Sequence, residues 1–172
     1  MARKTTLLVI SDTHGNTNLV NEFITEAKKH YPDLIYHLGD YYDDAQPILD
    51  AGFPVVRVPG TWTDHYQDFR IENRRIEEIY NWRLYLTHTP TKHYNDRPED
   101  SDPEEIIQTK QADIVLHGHT HIYGIEKHND VLIVNPGHCK AEMDKGRPAT
   151  YGVLEIDEQT IMEMERRITI LE

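Results

Sequence analysis

Short apolar runs recur along the chain, and each is stopped by a polar cluster. Thr5 to Ile10 is a β-branched and leucine run that reads as a buried strand, ending at Ser11-Asp12-Thr13-His14-Gly15-Asn16. From Asn18 to His30, Leu19, Val20, Phe23, Ile24 and Ala27 recur at helical spacing, and Pro32 closes the segment. Leu34 to Leu38 predicts a second strand, ended by Gly39-Asp40 and the acidic, aromatic loop Tyr41-Tyr42-Asp43-Asp44, with a short helix over Ala45 to Ala51. Phe53 to Val58 predicts a third strand, stopped by Pro59-Gly60 and followed by Thr61-Trp62-Thr63-Asp64-His65.

The second half of the pattern is different. Arg70 to Tyr80 and Arg83 to Leu86 flank Asn81-Trp82 and predict an antiparallel hairpin, a short helix being the other reading, with Thr87-His88 after the second arm. Ser101 or Asp102 caps a helix that begins at Pro103 and runs to about Lys110. The run Ile114-Val115-Leu116 leads into His117-Gly118-His119-Thr120-His121. Tyr123 to Lys127, the turn Asn129-Asp130 and Val131 to Val134 form another hairpin ending at Asn135-Pro136-Gly137-His138, and Tyr151 to Ile156 and Ile161 to Ile170 complete the strands. An early βαβ pattern followed by hairpins predicts an α/β fold with a core of two mixed sheets.

Length and charge narrow the picture. The 172 residues suit one domain spanning 1–172, and a formal charge of −12 argues against a protein that grips a nucleic-acid duplex through a basic surface. Cys139 is the only cysteine, so no intramolecular disulfide forms and a reducing, cytoplasmic setting is expected. Leu7 to Ile10 is too short for a signal-peptide core or a membrane span, so no membrane association is expected. An exposed edge of the late hairpin is a place where two copies would pair into a homo-oligomer.

The polar clusters carry the chemistry. Three imidazoles within five residues after a buried-looking strand fit a metal site better than packing, and His119 and His121 are placed to share one cation or to serve two neighbouring ones. Asp12 and His14, Asp40, His88, and His119 and His121 each follow a different apolar run, where open α/β sheets collect their ligands. Counting the Gly60-Thr61 loop, five strand ends hold these groups, too many for one tetrahedral ion but suited to a pair sharing a carboxylate.

In order and spacing, Asp12-x-His14, Gly39-Asp40, Gly60-Thr61, His88 and Gly118-His119-x-His121 resemble the motifs of the calcineurin-like metallophosphoesterases, most closely their small single-domain branch. The resemblance spans nearly the whole chain and implies two mixed β-sheets packed as a sandwich and flanked by helices. It implies that Asp12, His14, Asp40 and His121 hold one metal, that Asp40, His88 and His119 hold a second with Asp40 as bridge, and that Asp40, His88 and His119 stand closest to catalysis. Asn16 and His138 are then candidates to touch the substrate; for His138 the alternative is an exposed loop residue. The family usually has Asn where Thr61 stands, so Thr61 is a poorer ligand for the second metal, and Asp64 is the residue that would substitute. The catalytic His of larger members is replaced by Trp62.

The implied reaction is hydrolysis of a small phosphate ester, a diester rather than a monoester, by metal-bound hydroxide attacking in line. Without a histidine at position 62, esters with low-pKa leaving groups are favoured. A nitrogen and oxygen ligand set suits Mn, with Ni, Co, Fe or Zn as alternatives, over Ca. Tyr41, Tyr42 and Trp62 adjoin the ligands, either in ordinary packing or as walls that stack a nucleoside or aryl group. His117 is expected to face away from the metals or to support them. His30, His37, His65, His93 and His128 are expected at the surface or in turns. The rival reading is a non-catalytic scaffold of the same fold acting in a protein complex, kept open by Thr61.

Overall fold

The computed structural model of the protein describes residues 3–168. The first apolar run forms β1 (Thr5–Ile10), and α1 (Thr17–His30) comes next, capped by the Asn16 side chain, which accepts a hydrogen bond from the Leu19 amide. Then come β2 (Leu34–His37), a single 3₁₀ turn into α2 (Gln46–Asp50), and β3 (Val55–Arg57). The expected hairpin is present as β4 (Arg74–Ile79) and β5 (Trp82–Thr87), with no helix in its first arm. The helix α3 (Pro103–Gln108) is capped by Asp102, because the Ser101 hydroxyl and carbonyl are taken by Tyr85 and Arg74.

The remaining strands are β6 (Ile114–Leu116), β7 (Gly124–His128), β8 (Val131–Asn135), β9 (Met143–Asp144), β10 (Arg147–Pro148), β11 (Thr150–Ile156) and β12 (Ile161–Arg167). The last strand is expected to reach Ile170, and residues 169 and 170 lie outside the described residues. The pair β9 and β10 is absent from the sequence pattern, since strands of two residues are too short to show a period. Lys145 and Gly146, at φ 51° and 72°, make the tight reversal between them.

One sheet has the order β12-β11-β1-β2-β3 and the other β4-β5-β6-β8-β7, each with five strands. Within each sheet three neighbouring strands run parallel, β1, β2 and β3 in one and β5, β6 and β8 in the other, while the flanking pairs are antiparallel. Strand alternation sorts the side chains into layers. Leu7 and Val9 face Tyr36, Leu84, Leu86, Ile114, Leu116 and Leu154 between the sheets. Leu8 and Ile10 turn to the other side and pack on Leu19, Val20, Phe23 and Ile24 of α1. Val115 and Tyr85 turn outward from the second sheet onto Ile106 of α3. The result is the expected sandwich of two mixed sheets with helices outside. Among the described residues no helix is long and apolar enough to cross a membrane.

The parallel strands position the chemistry. The polar clusters begin where β1, β2, β3, β5, β6 and β8 end, and the two sheets bring these ends together. The Asp12 amide donates to the Gly39 carbonyl (2.8 Å), the Gly118 amide to the His88 carbonyl (3.0 Å), and the Cys139 amide to the Ser11 carbonyl (3.1 Å).

Candidate metal centre

Asp12, His14, Asp40 and His121 offer ligating atoms that all lie within 4.8 Å of one another. Asp12 is fully buried; its Oδ2 accepts from the Ser11 hydroxyl (2.8 Å) and the His119 amide (2.9 Å), whereas its Oδ1 is buried without a hydrogen-bond partner. Asp40 is also buried, with Oδ2 against His14 Nε2 and Oδ1 at 3.4 Å from His88 Nε2. Carboxylate oxygens left this way are costly unless something positive meets them.

The imidazoles point the same way. His121 Nδ1 lies 2.8 Å from an Asp144 oxygen, and His88 Nδ1 lies 2.7 Å from the Leu38 carbonyl. Both partners can only accept, so each Nδ1 carries the proton and each Nε2 of the neutral ring turns a lone pair inward. His14 Nε2 and His121 Nε2 are then 3.2 Å apart, and His88 Nε2 and His119 Nδ1 are 3.3 Å apart. Lone pairs and carboxylate oxygens crowded together require cations or protons between them, and this donor set fits divalent transition metals.

The charged groups of the cluster act on one another. Asp12, and after it Asp144, raises the His121 pKa. Burial disfavours the charged form of His88, but Asp40 and Asp12 outweigh it and the pKa is raised. Burial and then the nearby His88 lower that of His119. Burial also works against ionised Asp40, yet hydrogen bonds from His14 and His88 hold its carboxyl far below the usual range.

Backbone geometry aims these side chains. Asp12, His14, His119 and His121 all sit at positive φ, 56°, 47°, 71° and 65°, a region that costs a residue bearing a Cβ on the order of 1 kcal/mol. The pairs two residues apart therefore converge through left-handed turns, not through extended backbone. His121 lies with Asp12, His14 and Asp40, while His119 lies against His88. Thr61 is buried with its hydroxyl unpartnered; the preceding Gly60 donates its amide to the Asp40 carbonyl, so close that a Cβ there would lie 2.5 Å from Asp40 Cα.

The other candidates lie around this cluster. Asp64 is exposed and lines a separate cavity with Tyr41, Tyr42, Asp44 and His65. Asn16 borders an open cleft with His14 and Lys140, its carbonyl oxygen capping α1 and its amide donating to the Lys140 carbonyl. His138 is fully buried rather than in an exposed loop: Nε2 donates to the Arg147 carbonyl (3.0 Å), Nδ1 accepts from the Lys140 amide, and the ring packs against His121. His117 lines a cavity on the outer side of the second sheet with Val115 and Ile133.

One histidine departs from the surface-or-turn reading and another lies beside the site. His37 is fully buried at the end of β2, between Thr13 and the Gly39 amide, and burial pushes its pKa down to about 4. A period-2 strand places it inside regardless of polarity. His93 stands with its ring 5.9 Å from that of His119, because a loop distant in sequence folds back over the site. Ser11, Asp144 and Asn135 join the site without having stood out in the sequence. Ser11 and Asn135 adjoin predicted motifs, and Asn135 holds the histidine turn by donating to Thr120 Oγ1 (2.8 Å); Asp144 has no local sequence signal.

A sandwich of two mixed sheets, with carboxylates and imidazoles gathered where parallel strands end, is the architecture of the metallophosphoesterases. Residues 6–159 match the calcineurin-like phosphoesterase superfamily domain, and the chain belongs to that superfamily. A phosphodiesterase of Methanocaldococcus jannaschii is 32% identical over 169 residues, covering 91% of this chain and 96% of its own. A probable metallophosphoesterase of Bacillus subtilis, YsnB, is 29% identical over 160 residues, covering 88% and 84% respectively. Among solved structures, an archaeal phosphodiesterase aligns with a TM-score of 0.71 at 22% identity over 94% of this chain and 100% of its own. A mutant of Vps29 from Entamoeba histolytica aligns at 0.69 and 16% identity, over 96% and 100%. At these identities the structural likeness is one of fold.

Proposed function

We propose that the protein is a dinuclear metal-dependent phosphoesterase that prefers small phosphodiesters. The observation that carries this reading is the inward-facing set of Asp12, His14, Asp40 and His121, with Asp12 Oδ1 buried and lacking a hydrogen-bond donor. Two divalent ions, manganese first and nickel, cobalt, iron or zinc as alternatives, would supply Lewis acidity to activate water and to neutralise charge on the phosphate. Asp12, His14, Asp40 and His121 would hold one; Asp40, His88, His119 and the Thr61 hydroxyl would hold the other.

Asp40 suits the bridge because its two oxygens face opposite histidines, His14 and His88. Leu38 and Asp144 keep the outer nitrogens of His88 and His121 protonated, which frees the inner ones to bind. Trp62, after Thr61, offers no proton suited to a leaving group, so substrates whose leaving groups have low pKa values are favoured. The diester preference follows the phosphodiesterase names of relatives. The sole cysteine, Cys139, is buried and free, as suits a reducing cytoplasm.

The test is hydrolysis of bis(p-nitrophenyl) phosphate and of the matching monoester by metal-stripped protein, with Mn²⁺, Ni²⁺, Co²⁺ or Zn²⁺ restored separately. Faster diester turnover that needs metal and is lost in Asp40→Ala is the expected result. The second reading, a scaffold in a protein complex, is favoured by the likeness to Vps29 and by Thr61. Folded protein that turns over neither ester with any metal would favour the scaffold.

A further inference from the structure

Beside the metal centre stands a group of rings that the phosphoesterase chemistry leaves unused. Trp62 and Tyr94 are 67% and 77% exposed, although large aromatic side chains gain most from leaving water. Their ring centroids are 5.4 Å apart at 68°, a corner that leaves ring faces open to solvent. His93 braces the corner, stacked on Tyr94 at 4.4 Å and edge-on to Trp62 at 5.6 Å. It also touches His119, so the rings run without a gap from the second half of the metal centre to the surface.

The corner is held in place by its loops. Asn95 ties one to the other, its side-chain amide donating to the Thr61 carbonyl (2.9 Å), while Gln67 donates to the Asn95 carbonyl (2.7 Å). Asp96 accepts from the His93 amide (3.0 Å) and the Tyr66 hydroxyl (2.5 Å), and pairs with the buried guanidinium of Arg74 (2.8 Å). Arg74 is in turn fixed by Thr87, Thr89 and the Ser101 carbonyl. Two exposed rings fixed at a set angle by buried polar anchors are pre-organised for a planar guest, whose ordering then costs little entropy.

We propose that Trp62 and Tyr94 form a stacking platform for a nucleobase carried by a small phosphodiester whose phosphate lies at the metal centre. This rests on the phosphoesterase reading. Nucleosides, esterified through the sugar hydroxyl, are the commonest alcohols of phosphodiesters to carry an aromatic ring, and every base presents a face for stacking. The net charge of −12 disfavours a polymer of phosphates, which leaves a single nucleotide diester as the occupant.

The experiment compares the methyl ester of adenosine 5′-phosphate with the methyl ester of ribose 5-phosphate, the same diester without its base. Binding is read by calorimetry and by the Trp62 fluorescence, taken as the difference between wild type and Trp62→Phe; hydrolysis is read separately with restored metal. The expected result is that the base-bearing diester binds about tenfold tighter and quenches Trp62 saturably. Trp62→Ala and Tyr94→Ala, checked for unchanged melting temperature, should each shrink that ratio. Equal affinity for the two diesters in wild type, or a ratio insensitive to Trp62→Ala, overturns the platform. If both diesters are hydrolysed at the same efficiency and neither quenches, the platform fails while the phosphoesterase reading stands. Base-dependent quenching in a protein that turns over neither these diesters nor bis(p-nitrophenyl) phosphate with any metal supports the platform and overturns the phosphoesterase reading.

Discussion

Gly118 packs directly against Ser11 and Asp12, and a single methyl group there should damage both stability and the metal centre. A Cβ at this position would collide first with Ser11 Oγ, and would lie 2.5 Å from Asp12 Oδ2 and 3.0 Å from Ser11 Cβ. That oxygen takes the hydrogen bonds from Ser11 Oγ and the His119 amide, at 2.8 and 2.9 Å, so the methyl cannot enter unless the carboxylate gives way. Each hydrogen bond to a charged group contributes about 1.5–3 kcal/mol. Overpacking adds about 1–3 kcal/mol. Allowing for partial relaxation of the loop, Gly118→Ala should cost about 3 kcal/mol, which for a chain of this size lowers Tm by roughly 6–12 °C. Moving Asp12 should also weaken Mn²⁺ binding at least about tenfold.

The control is Gly124→Ala in β7, where a Cβ meets nothing within 4 Å. A surface change of this kind is expected to stay within about 0.5 kcal/mol. Both variants would be compared metal-free by urea unfolding and calorimetry, then titrated with Mn²⁺ against a chelator of known affinity. If Gly118→Ala melts and binds like Gly124→Ala, the tight packing of the histidine turn on Asp12 is refuted, and with it the rigid placement of His119 and His121.

Three further outcomes rest on the same network of contacts. Asp144→Ala removes the acceptor that fixes the His121 proton on Nδ1, and should weaken metal binding about 10–100-fold while the partly exposed site leaves Tm nearly unchanged; undiminished affinity in a chelator competition would contradict it. Arg74→Met strands the Asp96 carboxylate and should cost about 3–5 kcal/mol in thermal unfolding; a loss below about 1 kcal/mol would show the network to be dispensable. His37 has a folded pKa near 4 against 6.5 in an unfolded chain, so on acidification the unfolded state takes the proton first. Its contribution is complete above pH 6.5 and is lost as the pH falls toward 4, amounting to about 3 kcal/mol. Urea unfolding of metal-free protein across that window should show the fall, and His37→Leu should flatten it.

The strands of the two large sheets, the long helix and the strand-end positions of Asp12, His14, Asp40, His88, His119 and His121 were legible in the chain alone. Alternation such as Leu7 and Val9 against Leu8 and Ile10 is a local property, and a buried strand has to stop where polar residues begin. Those stops mark the ligand candidates before any strand is paired with another. Spacing alone left open whether the two histidines share a site, and only the family resemblance implied a division: His121 lies by Asp12 and His119 by His88 because of left-handed turns, and one-letter spacing does not carry φ. Asp144 enters through a hairpin of two-residue strands, and His93 through a loop pinned by Arg74 and Asp96. His37 is interior because its strand is interior, whatever its polarity. Hydrophobic period is written into neighbouring residues, but the meeting of side chains dozens of positions apart is set by how the two sheets stack, and only the tertiary structure decides that.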